Sequence, residues 1–159
     1  MSSEKIDSKL ADAKDHMHTY TCAEAALQTL LQHWGIDNPE LTWAMAGYLG
    51  AVMSGETTCG LLIGSTAAIG FKCGEGRQST PDKNTTVRGN AIEAVGELFS
   101  SFKQEFGSTQ CKTISKVDFS DGEQLATYLM EKKWVDTCDI FLEFILRKLN
   151  EMEKAGKIC

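Results

Sequence analysis

Four cysteines, Cys22, Cys59, Cys111 and Cys138, each stand where a helix is expected to begin. The contexts are Tyr20-Thr21-Cys22-Ala23-Glu24, Thr57-Thr58-Cys59-Gly60, Ser108-Thr109-Gln110-Cys111 and Asp136-Thr137-Cys138-Asp139. Each carries Ser, Thr or Asp one to three residues upstream, the residue types that cap helix N-termini. The free N–H groups and positive dipole end at such a terminus favour a thiolate over a thiol. A thiolate is both a nucleophile and a soft metal ligand, so four of them point to thiol or metal chemistry. Their spacing along the chain is long, and no local chelate exists. Any common site must be assembled by the fold.

The chain that must position them has 159 residues, enough for one domain (1–159) with a core that needs no staples. Its 42% apolar and 24% charged residues are ordinary for a globular protein. A net charge of −6 argues against nucleic acid and anionic membrane as partners. The first residues, Met1-Ser2-Ser3-Glu4-Lys5, show no secretory pattern, and the most apolar run, Cys59 to Phe71, is too short to span a bilayer. A cytoplasmic location is the expectation. Cytosolic thiols are kept reduced, so a disulfide scaffold is disfavoured, and Cys73 and Cys159 read as inert or buried thiols.

Helical periodicity dominates, and the expected class is all-α: a bundle of about six to seven helices around a buried Gly/Ala-rich one. The first covers about Ser3 to His16. The second, Thr21 to Trp34, carries the Thr21/Glu24 capping box and stops at Gly35. A third begins after Asp37 or Asn38, with Pro39 in its first turn, and reaches Met53. Thr58 to Phe71 is apolar on nearly every side and forms the central helix. Gly60 and Gly64, and likewise Ala46 and Gly50, leave bare stripes that suit tight internal packing, with a homodimer face as the alternative. Cys73 to Lys83 reads as a loop. A long helix then runs from Asn84 to Phe106, and a short turn carries Cys111. Ser120 and Glu123 suggest a capping box for a helix to Lys132. The last helix, from about Asp136 to Ala155, is expected to bury Ile140, Phe141, Phe144, Ile145 and Leu149.

No phosphate loop, GxSxG, HExxH, CxxC or CxxCH is present. His16 and His18 read as solvated residues near a helix end, and His33 as a favourable charge at a helix C-terminus. None has a context that marks a Cys–His pair. Four thiolates suit zinc or an iron–sulfur cluster. A reversible thiol–disulfide pair, with Cys22 and Cys59 exchanging and Cys111 or Cys138 resolving, is the second reading. A helical binding module with inert core cysteines is the third.

The ordered segments Tyr20–Ala26, Gly55–Gly64 and Phe106–Cys111, followed by Cys138, resemble the family of redox-active proteins known by its cysteine motif, C_GCAxxG_C_C. The resemblance covers about Thr19 to Leu149 and places the family's cysteines on Cys22, Cys59, Cys111 and Cys138. That family is similar to the non-haem part of split-Soret cytochrome c, a dimeric protein with c-type haems and an iron–sulfur cluster. The resemblance therefore implies a cluster held by some of these cysteines, electron transfer and a redox partner protein. It implies no covalent haem, because the attachment motif is missing. Leu61 departs from the family's alanine after Cys-Gly, and Leu49-Gly50-Ala51 shortens its glycine-rich stretch.

Overall fold

The computed structural model describes residues 3–77 and 84–159, with side chains from Ser8 onward; the later part of the expected 73–83 loop lies outside the described residues. The chain is all-α. Its helices are α1 (Ser3–Thr19), α2 (Cys22–His33), α3 (Trp43–Ala46), α4 (Tyr48–Met53), α5 (Gly60–Gly74), α6 (Thr85–Phe106), α7 (Cys111–Ser115), α8 (Gly122–Met130) and α9 (Cys138–Lys154). Short 3-10 turns at Pro39–Thr42 and Lys133–Asp136 lead into α3 and α9. Among the described residues the only extended pairing is one antiparallel bridge, Thr58 to Gln110.

The apolar stripes read from the sequence meet as expected. α2 lies along α5, α1 covers α2 and α9, and α6 closes the other side against α5 and α9. Leu27, Leu30 and Leu31 of α2 are fully enclosed with Leu61, Leu62 and Ile69 of α5. Leu98 and Phe102 of α6 and Leu142, Ile145 and Leu149 of α9 complete this core. Each such side chain stabilises the fold by roughly 1.5–3 kcal/mol relative to exposure. Phe102, Phe106, Phe141 and Phe144 pack edge to face where α6 meets α9, with centroid separations of 4.6–5.9 Å.

The bare stripe on α5 has a definite use. A methyl on Gly64 would strike the Ala23 carbonyl, and one on Gly60 would strike the Cys22 sulfur. These glycines let α5 approach α2 backbone to backbone, which is internal packing. Ala46 and Gly50 do not share that role, since nothing lies within 4 Å of a methyl built on Gly50.

Several boundaries differ from expectation. The third helix is broken into the Pro39 turn, α3 and α4, with Gly47 between the last two. The cap of α8 is Asp121, whose carboxylate accepts from the Glu123 and Gln124 amides at 2.9 and 3.2 Å; Ser120 instead donates to Asp118. Helix α9 starts at Cys138, and Ile140 is 53% exposed rather than buried. The largest correction concerns Cys73 and Cys159. They are joined in a disulfide across 86 residues of sequence, with Cα atoms 5.0 Å apart. Local reading could not see it because the partners meet only when α5 and the end of α9 pack.

Candidate four-thiol site

Each of the four remaining cysteines opens a helix. Cys22, Cys111 and Cys138 are the first residues of α2, α7 and α9, and Cys59 is the cap residue of α5. At Cys22 the capping box forms as expected: the Glu24 carboxylate accepts from the Thr21 amide at 3.1 Å and from its hydroxyl at 2.6 Å. This fixes the direction in which α2, and hence Cys22, sets out. The bare Cα of Gly60 leaves room for the Cys22 sulfur against the start of α5.

Cys59 and Cys111 are held together by backbone. The Cys59 amide donates to the Thr109 carbonyl at 2.8 Å, and the Cys111 amide donates to the Thr57 carbonyl at 2.9 Å. These bonds flank the Thr58–Gln110 bridge. Side chains alternate across extended backbone, so both cysteines lie on the face opposite Thr58 and Gln110. The Tyr48 hydroxyl braces this clamp by donating to the Thr58 carbonyl at 2.8 Å and accepting from the Thr57 hydroxyl at 2.8 Å.

Cys138 arrives from the far side of the molecule on α9. Its sulfur lies 3.0 Å from the Tyr128 hydroxyl of α8. Tyr128 in turn packs edge-on against Phe119, with centroids 4.9 Å apart. Neither Tyr48 nor Tyr128 stood out in the sequence. Each approaches the thiols from a separate helix, and no spacing rule links residue 128 to residue 138.

The four sulfurs form one electrostatic neighbourhood, because ionising any one of them disfavours ionising the others. Burial is the largest influence on each. It pushes Cys22 up to about 12, aided by Cys138 and Cys111 and opposed by the Ala23 amide. It pushes Cys111 up to about 12 as well, with Cys138 adding to the effect. Cys59, 4% exposed, is raised well above the ordinary thiol value by burial and then by Cys22, Cys138 and Cys111. Cys138 is raised by burial despite hydrogen bonds from Tyr128 and Thr137. The amides act in the expected direction, but desolvation and mutual repulsion outweigh them.

The histidines are engaged elsewhere. His16 meets the Thr29 hydroxyl at 2.9 Å, His18 lies edge-on to Trp134, and His33 bonds Glu153 at 2.8 Å. In chemical type the set is four soft thiol donors, suited to iron–sulfur clusters and thiophilic metals. Among the described residues no three Cys, His, Asp or Glu are spaced as ligands of one ion. What the site offers is a set of buried, mutually influencing protonated thiols, not a closed single-ion cage.

An all-α chain with a cysteine at the mouth of four helices is thus the class that fold and site define. Residues 20–152 match the family described as "Putative redox-active protein (C_GCAxxG_C_C)", and the chain belongs to that family. No curated protein and no solved structure matches it. Among the described residues, no helix is long and apolar enough to cross a membrane.

Proposed function

We propose that this redox-active protein is an electron carrier whose Cys22, Cys59, Cys111 and Cys138 together hold an iron–sulfur cluster and pass electrons to a partner protein. What supports the reading is a thiol at each of four separate helix starts, with the backbones of Cys59 and Cys111 flanking the Thr58–Gln110 bridge and the Cys22 sulfur lying against Gly60. Four protonated thiols packed together cannot ionise in one another's company. A bound cationic centre removes that obstacle, because a coordinating thiol is deprotonated outright. When bound, such a cluster supplies one-electron chemistry at a potential set by burial and by hydrogen bonds to sulfur.

The chain's own residues would do the rest. The bridge at Thr58 and Gln110 fixes the relative positions of Cys59 and Cys111. Gly60 leaves space beside Cys22, and Tyr128 offers a hydrogen bond to Cys138. A thiol–disulfide enzyme is the weaker reading. Its nucleophile must be a thiolate, and burial holds all four thiols protonated near neutral pH.

The test is anaerobic reconstitution with ferrous iron and sulfide. Iron, acid-labile sulfide and visible absorbance are expected in the wild type and in Cys73→Ser. They are expected to be lost or sharply reduced when any one of the four thiols becomes Ser. Colourless, iron-free wild type sinks the cluster. Alkylation at defined redox potentials then shows whether a thiol pair with one shared midpoint takes its place.

A further inference from the structure

Helix α5 carries sulfur at both ends, Cys59 at its cap and Cys73 in its last turn. The two ends differ in chemistry. Cys59 belongs to the thiol group, whereas Cys73 is bonded to Cys159 in the segment that follows α9. Cys73 is 2% exposed and Cys159 is exposed. Cys73 is enclosed by the fold, so Cys159, on the exposed segment, is the partner an incoming thiolate approaches first.

The segment that carries Cys159 is otherwise lightly held. The Lys157 amide donates to the Met152 carbonyl at 2.9 Å, and Ile158 rests half-buried against the core. The Lys157 ammonium pairs with Glu97 of α6 at 2.8 Å, an exposed contact that by itself contributes little. Gly156 to Cys159 form one wall of a cavity of about 350 Å³ whose other wall is α6, including Asn90, Ala94 and Glu97. Remove the disulfide, and little keeps that wall in place.

We propose that Cys73 and Cys159 are a second redox site, a two-electron thiol–disulfide pair that latches the 156–159 segment over α6. The reductant is a dithiol. Its thiolate attacks the Cys159 sulfur, the Cys73–Cys159 bond breaks, and Cys73 leaves with the electron pair and takes up a proton. The second thiol of the reductant then displaces Cys159, closing its own disulfide and leaving two free thiols on the chain. Cys73 lies in the last turn of α5, where the negative end of the helix dipole disfavours a thiolate. A poor leaving group slows opening, so the latch yields only to sustained reduction. This site is independent of whether the other four thiols hold a cluster.

The experiment uses the full-length protein, incubated anaerobically in graded mixtures of reduced and oxidised dithiothreitol. Samples are quenched in acid, alkylated under denaturing conditions and read by peptide mass spectrometry. Cys73 and Cys159 are expected to convert together in one step. Amide exchange at residues 156–159 and along the facing part of α6 is expected to rise at least tenfold on reduction. With glutathione as a monothiol probe, the mixed disulfide is expected on Cys159 with Cys73 free. A pair that stays oxidised in fully reduced dithiothreitol is a structural staple, and the proposal fails. Reduction without any change in exchange removes the latch, and an adduct on Cys73 reverses the assigned direction of attack.

Discussion

The Tyr128 hydroxyl lies 3.0 Å from the Cys138 sulfur, the one hydrogen bond from a tyrosine to a free thiol among the described residues. Burial keeps the phenol protonated, with its pKa raised further by the neighbouring thiols, so it is available as a donor to a Cys138 thiolate. That bond lowers the Cys138 pKa against the upward push of burial. Tyr128→Phe keeps the ring against Phe119 and deletes only the donor. The Cys138 pKa is expected to rise further once that donor is gone. The loss of thiolate at pH 8 is only partly offset by its greater nucleophilicity, so Cys138 is expected to be alkylated more slowly than in the wild type. Time-resolved alkylation with peptide mass spectrometry measures this. Tyr48→Phe is the control, because its hydroxyl bonds Thr57 and Thr58 rather than sulfur, and it should leave Cys138 unchanged.

The two glycines of α5 separate packing from site geometry. A methyl on Gly64 meets the Ala23 carbonyl, a backbone atom that cannot move without shifting α2. Gly64→Ala is expected to cost at least about 1–3 kcal/mol, the usual penalty of overpacking, read as a lower urea midpoint. A methyl on Gly60 meets the Cys22 side chain, which can turn away. Gly60→Ala should cost less stability yet alter the alkylation rate of Cys22 selectively. Gly96 has open space around it within α6, and Gly96→Ala should stabilise by about 0.5–1 kcal/mol. Equal losses at Gly60 and Gly64 would contradict the geometry.

What the sequence disclosed and what it hid divide along locality. The Thr21/Glu24 box, the four cysteines at helix starts and the apolar faces of α2, α5 and α6 are written in neighbouring residues, and they were legible. Ser120 and Asp121 are adjacent capping candidates, and only the bonds to the Glu123 and Gln124 amides choose between them. Ile140 sits beside Phe141 in an apolar stretch and reads as buried with it. Helix α9 turns Phe141, Leu142 and Ile145 to the core and leaves Ile140, on a neighbouring face, outside. The disulfide and both tyrosine contacts join segments far apart in sequence. The high thiol pKa values depend on burial, which no local motif reports.

Those thiol pKa values carry a consequence for stability above neutral pH. In the unfolded chain the thiols ionise near 9, whereas Cys22 and Cys111 in the fold ionise near 12 and Cys59 is also raised well above 9. Below about pH 9 both states keep these protons, and their contribution is fully present. Above it the unfolded chain loses protons that the folded chain retains, so stability falls as pH rises toward 12. Urea denaturation of the metal-free protein should show a midpoint that is steady from pH 7 to 8.5 and declines by pH 10.5. A midpoint that holds or rises across that interval would mean the thiols are not buried as described.

Glu153 governs the opposite limb. Its carboxylate accepts from the His33 ring at 2.8 Å and from the Trp34 indole N–H, tying α9 to the end of α2. Burial pushes its pKa up, but the hydrogen bonds from His33 and Trp34 prevail and hold it below the ordinary glutamate value. A depressed carboxylate contributes stability that is present above its unfolded pKa, near 4.5, and is lost as pH falls through the folded value. Glu153→Ala strands two ring donors and is expected to cost about 1–3 kcal/mol at pH 7. The deficit relative to wild type should shrink as pH falls below the unfolded value near 4.5 and through the lower folded value, where the wild-type carboxyl takes up its proton too. Chemical denaturation of both proteins along a descending pH series from pH 7 measures the difference, and a deficit that stays constant to the acid end of the series would show that Glu153 acts through packing rather than charge.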